Sequence, residues 1–350
     1  MRIVITGATG NVGTSLVRAL AGDERVTEIV GVARRLPTWS CEKTTFVQAD
    51  CAEHPLEPIF DGADAVVHLA WLIQPSRDER ELERVNLVGT RRVFEATVAA
   101  GVPALVYASS IGAYSPGPKD RPVKEDWPTE GIRSSFYSRH KAAAERMLDE
   151  IEAANPALRS VRLRPGLVFK ADAAAEIRRY FVGPFLPSPL VRPGTFRVVP
   201  RLPRLRVQAV HSFDVAEAYR LVTCDDRARG AYNVASEPVI DPDTLAREFG
   251  ALKLPLPAAA VRALTLASWR ARLQPTPPGW LDMALGVPIM DTSRIRALGW
   301  TPQWTSLGAL RDLLEGLSHD QGIDTPVLHP STGGPARVRE ILTGIGGRNP

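Results

Sequence analysis

Tyr137 and Lys141 have the types and the spacing of a proton-transfer device. Four residues apart, they fall on one face of a helix. None of the other five tyrosines has a lysine four residues later. A free tyrosine has a pKa of about 10, so about a thousandth of it is phenolate at neutral pH. A neighbouring ammonium favours the phenolate, and lowering that pKa by about three units corresponds to about 4 kcal/mol. Tyr137 could then take or give a hydroxyl proton while a hydride leaves or joins the carbon. Ser110 stands at the end of an apolar run and would hydrogen-bond the reacting oxygen. On this reading Ser110, Tyr137 and Lys141 are catalytic, and Lys141 also grips the ribose hydroxyls of a nucleotide.

A hydride needs a carrier, and the N-terminal stretch MRIVITGATGNVG offers it a seat. Arg2 to Thr6 has the apolar, β-branched pattern of a buried parallel strand, and Thr14 to Ala21 reads as a helix. Between them the glycine turn gathers backbone N–H groups and a positive dipole end at one spot, which suits a pyrophosphate. Gly7 allows the tight turn, Gly10 close approach by the phosphates, and Gly13 close packing of helix on strand. The spacing G-x-x-G-x-x-G differs from the common G-x-G-x-x-G fingerprint, but its strand-to-helix setting is the one that fingerprint requires. A nicotinamide dinucleotide held there would complete the hydride chemistry, and its cation would favour the phenolate further.

The elements that must position these residues alternate. Thr27–Ala33, Thr44–Gln48, Ala63–Leu69, Ala104–Ala108 and Ala157–Leu163 read as strands, and Arg77–Ala100 and Tyr137–Ala154 as helices. That alternation predicts an α/β fold, a Rossmann-like doubly wound parallel sheet. Such a sheet places ligands at the carboxyl ends of its strands, so Asp50, His68-Leu69-Ala70 and Ser109-Ser110 can converge on one cleft. After residue 169 the character changes to a smaller, irregular C-terminal part. Proline-rich from Phe181 to Pro203, it returns to strand and helix at 207–234, is mostly helical over Asp243–Ala271, and ends in the helix Ser306–Leu317. The expected division is a nucleotide-binding domain at 1–169, rejoined by 207–234, a mainly substrate-binding part at 170–317, and a flexible Gly/Pro-rich tail at 318–350.

Composition narrows the function further. The first strand begins at residue 2, leaving no room for a signal peptide, and no stretch approaches the ~20 apolar residues of a spanning helix. Cys41, Cys51 and Cys224 lack metal-ligand spacing, so no metal is expected and a reducing cytoplasm fits. Net charge is +4, with basic residues spread along the chain, which argues against nucleic acid as a partner. A small-molecule substrate is the expected partner, without a membrane.

The sequence resembles the extended short-chain dehydrogenase/reductases, the NAD-dependent epimerase/dehydratase family. TGATGNVG, Asp50, HLA at 68–70, VNLVGT at 85–90, SSIGAY at 109–114, YSRHK at 137–141, LRPGLVF at 163–169, VHSFDVAEA at 210–218 and RALGWTPQW at 296–304 carry the likeness. The resemblance implies a catalytic trio of Ser110, Tyr137 and Lys141, and an adenine-binding acid at Asp50. It implies a cofactor site of Gly7, Gly10, Asn11, Val12, Gly13, Arg34, Arg35, Asp50, Cys51, Leu69, Ala70, Ser109, Tyr137 and Lys141. Asn86 matches an asparagine that is structural and sometimes counted with the trio, whereas His211 and Asp214 match a structural element. A homodimer through two long helices per subunit is likewise a family expectation.

Departures from the pattern are informative. Where NAD-selective members carry an acid after the second strand, this chain has Ala33-Arg34-Arg35, which suits the 2′-phosphate of NADP, with NAD the alternative. Ile111-Gly112 replaces the Asp-Glu of the dehydratases, and Leu167 replaces an asparagine with which nucleotide-sugar epimerases contact a diphosphate. Arg192, Arg197, Arg201, Arg204 and Arg206 could hold an anionic substrate, or form a solvated loop. Trp269, Trp280, Trp300 and Trp304 are expected in the core, one or two of them walling the pocket. The expected function is an NAD(P)-dependent oxidoreductase acting at a hydroxyl or carbonyl carbon. A nucleotide-sugar epimerase with retained cofactor and a non-enzymatic NADP-binding redox sensor are the alternatives.

Overall fold

The computed structural model describes residues 1–73, 77–182 and 197–330. Seven parallel strands form the main sheet: β1 Arg2–Thr6, β2 Glu28–Ala33, β3 Thr44–Gln48, β4 Ala65–His68, β5 Ala104–Ala108, β6 Arg159–Pro165 and β7 Gly230–Val234. Their order is β7-β6-β5-β4-β1-β2-β3. The winding reverses between β1 and β4, and this switch point is where such a sheet opens a crevice.

Side-chain alternation along β1 builds both layers of the core. Ile3 and Ile5 face Leu16, Val17 and Leu20 of the helix α1 (Asn11–Ala21) and Val215 and Val222 of α4 (Ser212–Cys224). Val4 faces the other way, toward Phe94 of α2 (Gly89–Ala99) and Leu148 of α3 (Phe136–Ala154). Covered on both faces, the central strand is apolar almost throughout, as its sequence requires.

The helix expected over Arg77–Ala100 is three pieces: an α turn at Glu79–Glu83, a π turn at Arg84–Val88, and α2. The expected helical stretch Asp243–Ala271 is also interrupted. Gly250, at φ 59°, stops a helix at Pro242–Phe249, a strand Leu252–Pro255 follows, and α5 (Ala258–Arg270) resumes after two prolines. That strand pairs in parallel with Val198–Arg201, while Leu167–Phe169 pairs with Ala209–His211. Through β7 and α4, the segment 207–234 rejoins the main sheet.

The expected flexible tail needs correcting up to Pro330. After α6 (Ser306–Ser318) the chain turns back, and Leu328 is fully buried against Ala173 and Ile323. A contact so distant in sequence is invisible in a local Gly/Pro count. Residues 331–350, and residues 183–196 of the proline-rich stretch, lie outside the described residues.

Candidate active site

Gly7, at φ 76°, packs so closely on β4 that a Cβ there would lie 2.6 Å from the Ala70 nitrogen. A Cβ at Gly13 would overlap the Gly7 carbonyl. These two glycines are demanded by the fold itself. Gly10 differs: a Cβ there would meet nothing closer than 3.6 Å. It forms the N-cap of α1 with no side-chain cap, so the first N–H groups of that helix stay open to an anion. The turn therefore fits a pyrophosphate.

One cavity collects Gly7, Gly10, Arg34, Arg35, Asp50, Cys51, Leu69 and Ala70 from the expected cofactor set. Thr9, Trp71, Leu72, Glu176, Tyr180, Pro326 and Val327 also line it. Asn11, Val12 and Gly13 open α1 beside it, and Asn11 donates to the Val168 carbonyl at 3.2 Å. Arg34 and Arg35 are exposed at the end of β2, and Arg35 donates to the Pro326 carbonyl at 3.4 Å. Asp50 accepts from the Ala52 N–H at 2.9 Å and from Arg84 at 3.1 Å. Burial raises its pKa, but those two partners outweigh it and hold the carboxyl below its ordinary range. Cys51 is buried, and its thiol is pushed up to about 12.

Ser110, Tyr137 and Lys141 come together next to this cavity, each below a tenth exposed. Ser110 leaves β5 and caps a short turn through the Gly112 N–H at 3.0 Å, while α3 supplies the other two. The phenol of Tyr137 is raised to about 12 by burial, against the hydrogen bond from Ser110. The expected lowering rests on a bound nicotinamide cation as well as on Lys141. The Lys141 ammonium lies 5.9 Å from the Tyr137 ring, donates to the Ala108 carbonyl at 2.6 Å, and sits 3.4 Å above the Trp71 ring. Helical spacing put both residues on one face, but the long lysine stem reached the nearest acceptor and the nearest π face. Burial drives the Lys141 pKa well below its ordinary value.

Around Tyr137 the surroundings are apolar. Trp280 is 5.0 Å away and Trp71 6.2 Å, ring centre to ring centre, and Ile111, Phe136 and Met283 complete the cluster. Trp71 belongs both to this cluster and to the cavity at the glycine turn, so it joins the two. Asn86 holds the loop behind it, accepting from the Leu72 N–H at 2.7 Å and donating to the Leu72 carbonyl at 3.0 Å. Both ends of Asn86 are thereby occupied, which is a structural role. Trp127 also packs on the cluster, whereas Trp269, Trp300 and Trp304 do not enter it. Trp300 is buried and donates to the Asp214 carbonyl, Trp304 stacks on His211, and Trp269 carries the Arg77 guanidinium.

Sequence reasoning missed Glu145, the next residue on the Tyr137–Lys141 face of α3. It is 1% exposed and is bonded by Arg164 through two nitrogens, at 2.7 and 2.6 Å. The continued spacing of four was the available signal. Ser109, expected at the cofactor, donates its hydroxyl to Glu145 instead. Of the basic cluster, Arg197 and Arg201 are exposed. Arg204 donates to the Leu285 and Gly117 carbonyls and Arg206 to that of Lys119. Arg192 lies outside the described residues.

Known proteins agree with this architecture. The NAD dependent epimerase/dehydratase family matches residues 3–235. A 3 beta-hydroxysteroid dehydrogenase type 7 of Mus musculus is 31% identical over 160 residues, which are 42% of this chain and 43% of that protein. An L-arabinose 1-dehydrogenase (NAD(P)(+)) of Haloferax volcanii is 34% identical over 186 residues, 50% of this chain and 70% of that protein. The chain thus spans less than half the length of the mouse relative. A UDP-glucose 4-epimerase of Thermus thermophilus, solved with NAD, superposes with a TM-score of 0.65 at 22% identity, covering 91% of this chain and 99% of that one. On its sheet, its glycine turn and these matches, the chain belongs to the NAD dependent epimerase/dehydratase family.

Proposed function

We propose that the protein is an NADP-preferring oxidoreductase that interconverts a secondary alcohol and a ketone, or an aldehyde, on a small molecule. One observation carries this reading. A buried, protonated phenol, hydrogen-bonded by a serine, stands among apolar rings beside the nucleotide cavity. A nicotinamide bound in that cavity supplies or accepts the hydride. In the reducing direction the carbonyl carbon gains the hydride, and the Tyr137 O–H gives its proton to the carbonyl oxygen. Burial keeps the phenol protonated at neutral pH, and the Ser110 hydrogen bond and a bound nicotinamide cation act in the opposite direction, toward giving the proton up. Ser110 orients the oxygen, and Lys141 keeps a donor at the strand end where the ribose hydroxyls would lie.

Arg34 supports the choice of NADP, because it lines the cavity from the end of β2 where an acid would repel a 2′-phosphate. The apolar surroundings of Tyr137 disfavour a nucleotide-linked sugar, whose diphosphate would need cationic partners. Leu167 cannot provide the epimerases' amide, and Arg204 and Arg206 are already bonded to main-chain carbonyls. The test is a turnover screen of apolar and sugar alcohols with both cofactors, with Tyr137→Phe alongside. That variant is expected to lose about 10²–10⁴ in turnover on the best substrate while cofactor affinity holds. Near-normal turnover in Tyr137→Phe would sink the assignment, and preferential turnover of a nucleotide sugar would favour the epimerase.

A further inference from the structure

The family match ends at residue 235, yet residues 323–328 return to the nucleotide cavity and complete its wall. The loop they form is tight. Ile323 N–H bonds to the Leu328 carbonyl at 3.3 Å, and His329 N–H to that of Thr325 at 3.0 Å. Ile323 and Leu328 anchor it against Ala173. Its tip is then carried onto the glycine turn. Thr325, 2% exposed, donates its hydroxyl to the Thr9 carbonyl at 2.9 Å and accepts from the Leu328 N–H at 3.2 Å. On the far side the Pro326 carbonyl accepts from Arg35 at 3.4 Å, and that of Val327 from Arg179 at 3.5 Å. Pro326 and Val327 line the same cavity as Gly10, Arg34 and Asp50.

The cavity encloses about 140 Å³. Ligand sites run from about 300 to 1,000 Å³, so with the loop in place the cavity is narrow for the adenosine half of a dinucleotide, and Pro326 and Val327 are part of what narrows it. The strand ends and the glycine turn are locked into the core. The loop is held to that turn by one side-chain hydrogen bond, to two arginines at the long end of hydrogen-bond distance, and through the Asp324 carbonyl, which accepts from the Trp39 N–H at 3.1 Å and the Thr38 hydroxyl at 3.3 Å. Arg34 and Asp50 identify the covered end of the cavity, since the 2′-phosphate and the adenine are the groups they would meet.

We propose that residues 324–327, between the Ile323 and Leu328 anchors, are a strap that opens to admit the dinucleotide and recloses over its adenosine half, with the Thr325–Thr9 bond setting the rates of entry and exit. The strap lies outside the proton-transfer residues, so it stands whether the substrate is an alcohol or a sugar. It rests on this cavity being the dinucleotide site.

The experiment uses the full chain and NADPH. Stopped-flow fluorescence on wild type and Thr325→Val should show both association and dissociation rates about three- to tenfold faster in the variant, the effect of one hydrogen bond. Hydrogen exchange on wild type provides a readout that needs no variant. The amides of Thr325, Val327, Leu328 and His329 should exchange faster than those of β1 in the free protein and be slowed more than tenfold by NADPH. Wild-type rates in a folded Thr325→Val, or strap amides indifferent to NADPH, would overturn the strap alone. A wild type that binds neither NADPH nor NADH would overturn the dinucleotide site and the strap with it.

Discussion

The phenol of Tyr137 and the imidazole of His68 are driven by the same force, loss of water, toward their neutral forms. For the phenol this means a retained proton; for the imidazole it means a refused one. His68 is 1% exposed and sits between the Thr6 and Thr90 hydroxyls at 2.6 and 2.9 Å. Burial lowers its pKa to about 3, and the Lys141 charge adds to the effect. The unfolded chain takes up this proton near pH 6.5 and the folded one only near 3, so the stability that His68 contributes is complete above 6.5 and lost as pH falls toward 3. Between pH 6.5 and 4.5 the loss should be about 2–3 kcal/mol. Urea denaturation at several pH values checks this, and His68→Leu should flatten that part of the slope. On the proposed reading, cofactor choice also turns on one residue. Arg34→Ala should weaken NADP by about ten- to a hundredfold and barely change NAD, because a guanidinium–phosphate hydrogen bond contributes about 1.5–3 kcal/mol. Titrations with both cofactors measure it, and a wild type that prefers NAD would make Arg34 and Arg35 a solvated turn.

At the scale of the element, the glycine turn separates a demand of the fold from a demand of the ligand. Gly13→Ala forces a methyl into the Gly7 carbonyl and should destabilise the chain by about 1–3 kcal/mol. Gly10→Ala meets nothing within 3.6 Å, so the melting temperature should hold while dinucleotide affinity falls. Calorimetry on the two variants, with thermal melts, tests the division; equal loss of stability in both would refute it. The turn was legible in the sequence because its residues are contiguous. The π turn Arg84–Val88 was not, since hydrophobic spacing across Val85, Val88 and Val93 reads as one helix. The helix runs on through the π turn, and the contacts made there are mostly long-range: Asn86 engages Leu72, and Arg84 meets Asp50 and Glu53. The strand Leu252–Pro255 was missed for a related reason, as its partner lies more than 50 residues earlier.

Across the whole molecule, one buried carboxylate ties the site-bearing helix to two strands. Glu145 of α3 meets Arg164 and Arg162 of β6 and the Ser109 hydroxyl at the end of β5. Burial raises the Glu145 pKa, but Arg164 and its neighbours outweigh this and keep the carboxylate ionised. Removing the charge leaves Arg164 buried without its counter-ion, a loss of about 3–5 kcal/mol. Glu145→Gln should therefore lower the urea midpoint substantially, and an unchanged midpoint would show that α3 is held by packing alone. Because Tyr137 and Lys141 sit on the same helix face, the variant should also reduce turnover without altering any group that touches substrate.

Read alone, the sequence determined what depends on neighbours along the chain. Strand and helix alternation is set by local apolar periodicity, the glycine turn by Gly7, Gly10 and Gly13 close together in the chain, and the Tyr137–Lys141 face by helical spacing. Once the sheet is parallel and doubly wound, the convergence of Asp50, Ala70 and Ser110 on one side follows from topology. Only the tertiary structure decided what each side chain faces. Lys141 could have reached the phenol, but folding supplied a nearer carbonyl and an indole. Ser109 could have faced the cofactor, but Glu145 took its hydroxyl. Residues 323–330, Gly- and Pro-flanked and unremarkable in sequence, are ordered because Leu328 finds Ala173 and Thr325 finds Thr9, more than 300 residues away. Protonation belongs to this second class as well. A residue's type sets its ordinary pKa, but the water removed around it, and the partners left in place of that water, exist only in the folded chain.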